Sequence, residues 1–512
     1  MEERQSAQPF WSSATALLVY LALIKVAIHF LTNGNYGYFR DELYYIACSE
    51  HLDWGYVDQP PLSILILKIT RVLLGDSIFA IRLPVVLVGA ACVFLTGLMA
   101  RELGGGRFAQ SLAALAYMVM GVPLVMASCF SMNAFDYLFW IGCALTVIRI
   151  VKTNNPKPWL VFGLVAGIAM MNKISIAFFA FGIVVGLLLT PQRKQFLSPW
   201  IWLGGALAFL IFLPNVIWQA THDFPTLEFM SNARKYKISP MSPLGYLSAQ
   251  IIETNPFTAP IWLVGLGYFL FAKSSRPFRP LGWAYVAILL LFIIQQAKAY
   301  YLAPAYAMLV AAGAVAIESF ARRHHWNWLK PALIGFLVLG GVLLAPMAIP
   351  VLPPETYLRY QRFLGIEPPR EERDFVAEMP QHFGDRFGWE NMVATVAQVY
   401  NALPAEEQAR CAIVAGNYGE AGAVDFFGPR YGLPKAICGH NNYWLWGPRD
   451  TTGEIAIWMS SSKENLEKYF EEVELAATVV SPHARETGLP IHVCRKLKRP
   501  IQELWPQIKD FI

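Results

Sequence analysis

The stretch Asn33 to Lys68, NGNYGYFRDELYYIACSEHLDWGYVDQPPLSILILK, gathers side chains that can move a proton in a chain of 512 residues. Arg40, Asp41, Glu42, Glu50, His51, Asp53 and Asp58 fall within it, among many aromatic residues. Adjacent acids such as Asp41 and Glu42 serve either as partners of a helix N-terminus or as a general base for an attacking hydroxyl or amine. Three other charges stand out by isolation: Asp136 is the one charged residue between 108 and 148, Lys173 between 158 and 192, and Lys298 between 281 and 317. A charge in so apolar a setting is costly, so function is the first reading and a helix-end cation reaching the headgroups the second. Lys298 lies in QQAKAYYLAP, between amide and phenol donors that include Tyr300 and Tyr301. Preplaced cations of this kind suit a leaving phosphate, whose charge grows as its bond breaks.

The elements that position these residues follow from composition. The chain is 55% hydrophobic and only 15% charged, where a soluble domain carries about 25% charge. A disordered chain, a collagen and a purely soluble enzyme are excluded. Runs near the ~20 apolar residues that cross a bilayer predict about eleven helices. They lie near 13–31, 78–100, 108–126, 133–150, 158–171, 174–190, 200–218, 256–272, 281–296, 301–319 and 331–350. The fifth and sixth are parted by Asn172-Lys173 alone and read as a tight hairpin. With the N-terminus inside, the loops 101–107, 151–157, 191–199, 273–280 and 320–330 are all basic, as inner loops should be. The formal charge of +5 therefore reports orientation and not nucleic-acid binding. The outer face then receives the loops 32–77 and 219–255, the tail 351–512, and the outer ends at Asp136, Lys173 and Lys298. The acidic-leaning MEERQSAQPF start, with no small-residue cleavage site, predicts that the first span is not a cleaved signal. DELYYIACSEHL reads as an amphipathic segment along the interface.

Past Pro350, Pro353 and Pro354 the composition turns polar. CAIVAG, EIAIWMS, LAATVVS and IHVCRKL predict short buried strands, and KENLEKYFEEV a helix, giving a small α/β domain over 351–512 after a membrane core over 1–350. NYGEAGAVDFFG follows a strand but lacks G-x-G-x-x-G spacing, so it carries no nucleotide site. Cys92, Cys129 and Cys143 read as packing residues, and Cys411, Cys438 and Cys494 allow at most one bridge.

Four features together resemble glycosyltransferase family 39: an Asp-Glu pair after the first span, acid-x-Pro-Pro-Leu at Asp58–Leu62, an acid opening the fourth span, and Lys-x-Tyr-Tyr-x-x-Pro at Lys298–Pro304. The resemblance covers about residues 10–350. It implies a GT-C-like polytopic α-helical membrane protein, N-terminus in and C-terminus out, with an extracytoplasmic α/β domain. It further implies inverting transfer of a sugar from a polyprenyl-phosphate donor, on the outer face of the cytoplasmic membrane, to a glycolipid, polysaccharide or protein. By the resemblance Asp41 would be the general base, Glu42 would orient the site, Asp136 would be the acid of the fourth span, and Lys298 with Tyr300, beside Tyr301, would hold the lipid phosphate. In aminoarabinose transferases of the family Glu-Lys precedes Pro-Pro-Leu; here it is Asp58-Gln59, and Arg40 or Lys173 would supply the lost cation. No nucleotide or redox cofactor is required, and no metal spacing is present, although Asp58, His51 or His222 would suit a divalent ion. The competing reading is a transporter or flippase of a lipid-linked or small polar substrate, which should show two matching halves with broken helices.

Overall fold

Apolar segments of this length bury their backbone polar groups only as helices, and helices are what they form. In the computed structural model residue 11, residues 13–366 and residues 378–512 are described; MEERQSAQPF lies outside them. Among the described residues seven helices are long and apolar enough to cross a membrane: Ala14–Thr32, Ile78–Glu102, Met132–Thr153, Pro199–Thr221, Arg276–Gln295, Ala299–Arg323 and Leu329–Ala348. Ile176–Leu188 and Pro191–Leu197, bent by 113°, make an eighth if they are one span. Trp159–Met170 and Ala259–Phe271 are shorter and also apolar, and Arg107–Met118 is a third short helix. Each of the eleven expected segments falls on helical chain, and the protein is a polytopic α-helical membrane protein with a small sheet near its C-terminus.

The chain divides into two compact units. The first comprises Met1–Gly34, Arg82–Val216 and Pro240–Leu352; the second comprises Asn35–Ile81, Ile217–Ser239 and Pro353–Ile512. The acid-rich loop thus belongs with the tail, where the sequence placed it with the membrane core.

In the first unit small residues let helix backbones touch. A Cβ on Gly265 would lie 1.8 Å from the Leu309 carbonyl oxygen, and one on Gly313 would lie 1.9 Å from that of Ile261. Helices Ala259–Phe271 and Tyr306–Arg323 are therefore locked at a distance that only glycine permits. The contact is backbone against backbone, so no side-chain rotation relieves it. Gly313→Val should destabilise the protein by about 3 kcal/mol or more, read as a lower melting temperature in detergent. The helix Tyr306–Arg323 is tied to the 3-10 turn Ala299–Ala305 by a buried polar chain. Tyr306 donates to Gln250 at 3.0 Å, Gln250 donates to the Ala299 carbonyl at 3.2 Å, and the Tyr285 and Tyr306 hydroxyls share a bond of 3.0 Å.

In the second unit five strands, β1 (Cys411–Ala415), β2 (Ile437–Cys438), β3 (Ile455–Met459), β4 (Phe470–Thr478) and β5 (Pro490–Leu497), form one sheet in the order β2-β1-β3-β5-β4. β1 runs parallel to β2 and β3, while β5 runs antiparallel to β3 and β4. Two expectations are corrected here. KENLEKYFEEV is helical only over Lys463–Leu466, started by the Ser462 cap, because from Phe470 the chain pairs with β5 in the register Phe470↔Leu497. Sheet pairing overrides its helical spacing. The segment expected along the interface is the helix Arg40–Glu50, with Leu43, Tyr44, Tyr45, Ile46, Ala47 and Cys48 all buried. It has no apolar face left for lipid; it is core. All seven cysteines are free thiols.

Candidate active site

Glu42 explains how the helix Arg40–Glu50 begins. Its carboxylate accepts the Phe39 backbone N–H at 2.8 Å, closing the first turn, and the side chain is fully buried. Glu42 is thus the helix-start partner among the two acids. Asp41, one position earlier, points elsewhere. Its side chain is 31% exposed; Oδ1 accepts the Tyr418 hydroxyl at 3.0 Å and lies 3.8 Å from the Arg40 Nε. Arg40 is buried and spans two acids and a ring: its Nε is 3.4 Å from Asp385 Oδ2, and its guanidinium stands 5.4 Å from the Tyr418 ring centroid. Gln381 Nε2 donates to Asp385 at 3.2 Å, and Arg485 lies 3.7 Å from its other oxygen. Asp41 therefore has a fixed cation beside it and keeps access to solvent.

Asp58 belongs to the same unit. It accepts the Tyr44 hydroxyl at 3.0 Å, and Asn442 Oδ1 accepts both the Tyr44 hydroxyl at 3.2 Å and the Val57 N–H at 2.7 Å. Burial pushes the Asp58 carboxyl up to about 6, and the nearby Asp41 charge adds to this against the Tyr44 hydrogen bond. A carboxyl raised on folding favours the folded state most below its unfolded value of 3.8, and that favour is lost as pH rises through about 6. Asp58→Asn should therefore gain stability relative to the parent between pH 5 and 7. The gain should be about 1 kcal/mol once solvent screening of a part-exposed group is allowed for, and thermal melts across that range would read it. Gln59 beside it is buried at 1% exposure, and among the described residues neither side-chain amide atom has a protein partner.

Two of the isolated charges of the first unit meet, and the third opens a turn whose Tyr301 ring faces one of them. Asp136 is buried, and Ser175 Oγ donates to both its oxygens at 2.7 Å while Trp140 Nε1 donates at 3.1 Å. Lys173 Nζ lies 3.7 Å from Asp136 Oδ2, donates to Asn133 Oδ1 at 2.8 Å, and stands 4.9 Å from the Tyr301 ring centroid. Tyr300 and Tyr301 rings meet edge to face at 4.8 Å on the turn Ala299–Ala305, which Lys298 opens. Lys173 is thus oriented by an acid, an amide and a ring. Among the described residues the Lys298 ammonium makes no hydrogen bond or ion pair.

The conceivable metal ligands are not brought together. His51 stacks on Trp446 at 4.4 Å, His222 Nδ1 bonds the Trp218 carbonyl at 2.8 Å, and the described residues hold no metal-sized group of three His, Cys, Asp or Glu. The turn in NYGEAGAVDFFG is filled from within: Glu420 accepts from the Gly416 N–H at 2.8 Å, from Asn417 Nδ2 at 2.7 Å and from Ser460 Oγ at 2.5 Å.

Sequence reasoning missed Tyr418 and Asn442, which no local pattern marks. It also missed Lys25 and His29, both fully buried on the helix Ala14–Thr32 while Leu23, Ile24 and Leu31 face outward. Their signal was available: a lysine and a histidine four residues apart in an apolar span place two polar groups on one inward face. Lys25 Nζ reaches the Pro123 carbonyl at 3.5 Å.

Comparison with known proteins bears on the fold. The model of the dolichyl-phosphate-mannose-protein mannosyltransferase family matches residues 58–218. A curated relative, the lipid A galacturonosyltransferase RgtD of Rhizobium johnstonii, is 27% identical over 300 residues; the match spans 56% of this chain and 62% of that relative's length. ArnT from Cupriavidus metallidurans, solved bound to undecaprenyl phosphate, matches with a TM-score of 0.61 at 14% identity, over 93% of this chain and 97% of that one. Its apo structure matches equally, at 15% identity. The fold is that of ArnT, and the GT-C resemblance read from the sequence is borne out.

Proposed function

We propose that this membrane protein is a GT-C glycosyltransferase that moves a sugar from a polyprenyl-phosphate carrier to a glycolipid, with inversion, on the outer face of the cytoplasmic membrane. The observation that carries the proposal is the pair of lysines around the turn Ala299–Ala305 of the membrane unit. Among the described residues the Lys298 ammonium makes no hydrogen bond or ion pair, and three residues on stands Tyr301, whose ring faces the Asp136-held Lys173. A phosphate is the ligand that such donors fit. The carrier named in the ArnT structure supports a polyprenyl phosphate, and the RgtD name supports a glycolipid acceptor.

In the reaction, the acceptor hydroxyl attacks the anomeric carbon while the carbon–oxygen bond to phosphate breaks. Asp41 takes the acceptor proton. The phosphate leaves carrying an added negative charge, which Lys298 and Lys173 stabilise, with Tyr300 and Tyr301 as phenol donors beside them. Asp136 acts through Lys173, holding it in place, so it is assigned as a positioning residue. Arg40 stands beside Asp41 as a fixed cation, Glu42 fixes the helix that presents it, and Asp58 with Gln59 offers an acid and an amide to sugar hydroxyls.

The test is incubation of purified protein with a radiolabelled polyprenyl-phosphate sugar and lipid A, followed by separation of the lipids. Label on lipid A is expected. Label only on a peptide or a polysaccharide in parallel reactions would contradict the glycolipid assignment while keeping the transferase reading.

A further inference from the structure

A carboxylate base must be ionised at working pH and must keep one oxygen free to receive the proton. Asp41 meets the second demand through the tail. Its Oδ1 is occupied by the Tyr418 hydroxyl at 3.0 Å, while Oδ2 has no protein donor among the described residues and the side chain is 31% exposed. Tyr418 lies 377 residues away in sequence. It is the first residue of the helix Tyr418–Phe427, which follows β1.

That helix start is held unusually firmly. Asn417 caps it, with Oδ1 accepting the Gly419 and Glu420 N–H groups at 2.9 Å and 3.1 Å. Glu420 in turn clamps Gly416, Asn417 and Ser460, tying the turn to the end of β3. The Tyr418 ring is buried between Tyr44 and His440, each with centroids 4.6 Å away, and Arg40 faces it. A Cβ on Gly419 would lie 2.3 Å from Arg40 Cγ, so glycine there lets the arginine stem pass. The ring has little freedom to turn, and its hydroxyl is spent on Asp41.

We infer that Tyr418 is a positioning residue of the transfer reaction: it aims Asp41 by holding one carboxylate oxygen and leaves the other for the acceptor proton. The tail is then a part of the catalytic apparatus. The inference rests on the assignment of Asp41 as the base.

The experiment measures kcat and the donor KM, beside thermal melts, for the protein and for Tyr418→Phe, which keeps the ring and its packing. The variant's kcat should fall about tenfold, with the donor KM and the melting temperature unchanged. A fluorinated tyrosine at 418, which keeps the hydroxyl, should retain the parent kcat. An unchanged kcat in Tyr418→Phe, or a raised donor KM with unchanged kcat, would overturn the inference. Asp41→Asn run alongside separates the two claims. If it is inactive while Tyr418→Phe behaves as the parent, only the role of Tyr418 falls; if it is active, the base assignment falls with it.

Discussion

Asp41→Asn should lose about 10²- to 10⁴-fold in kcat, the usual contribution of a general base, while folding normally. The substituted amide keeps an oxygen for the Tyr418 hydroxyl, and its surroundings are part-exposed, so no buried charge is stranded. Donor affinity should stay within a few-fold, because nothing in the phosphate cluster is touched. Asp41→Glu should recover part of the lost rate, limited by the longer stem pushing the carboxylate off the Tyr418 bond. The contrast with Glu42→Gln is informative. Glu42 is buried and caps Phe39, so its replacement should lower the melting temperature as well as the rate.

Lys298→Ala should weaken donor binding and slow departure of the phosphate, with a combined loss of about 10²- to 10³-fold in kcat/KM. It should leave the melting temperature nearly unchanged, because the Lys298 ammonium bonds no protein group among the described residues. Lys173 behaves differently for a structural reason. Lys173→Met strips the buried Asp136 of its countercharge, which should cost about 3–5 kcal/mol of stability. Joining it to Asp136→Asn should restore most of that stability, since Ser175 and Trp140 can still bond the neutral side chain. Activity should stay low in the pair. Titration of polyprenyl phosphate into each purified variant, beside thermal melts, distinguishes loss of a ligand contact from loss of fold.

Much of this arrangement was legible in the residues. Charge scarcity marked the eleven helical segments, and the same scarcity singled out Asp136, Lys173 and Lys298. Two of these form an ion pair, and the third opens the turn whose tyrosine ring the second faces. Short apolar runs such as CAIVAG and EIAIWMS announced the tail's sheet. What local pattern does not encode is which distant segments fold as one unit. The loop 35–81 packs with 353–512 through Tyr44–Asn442, Val57–Asn442 and Asp41–Tyr418. These are single side-chain contacts across hundreds of residues, and they leave no period in either segment. KENLEKYFEEV shows the same limit: its helical spacing is real, yet an available partner strand in β5 decides its structure. Asp41 and Glu42 look alike in sequence; only the direction each side chain takes from the first helical turn separates the part-exposed acid from the buried cap.

The account turns on breaking the sugar–phosphate bond with Asp41 as proton acceptor, and product stoichiometry in proteoliposomes measures that step directly. With labelled donor and lipid A in the membrane, the parent should release one polyprenyl phosphate for each sugar joined to lipid A, and Asp41→Asn should release almost none. Equal release by both proteins would contradict the base assignment. Donor that crosses the bilayer with its phosphate–sugar bond intact, and no polyprenyl phosphate formed, would contradict the transferase itself and make the protein a carrier.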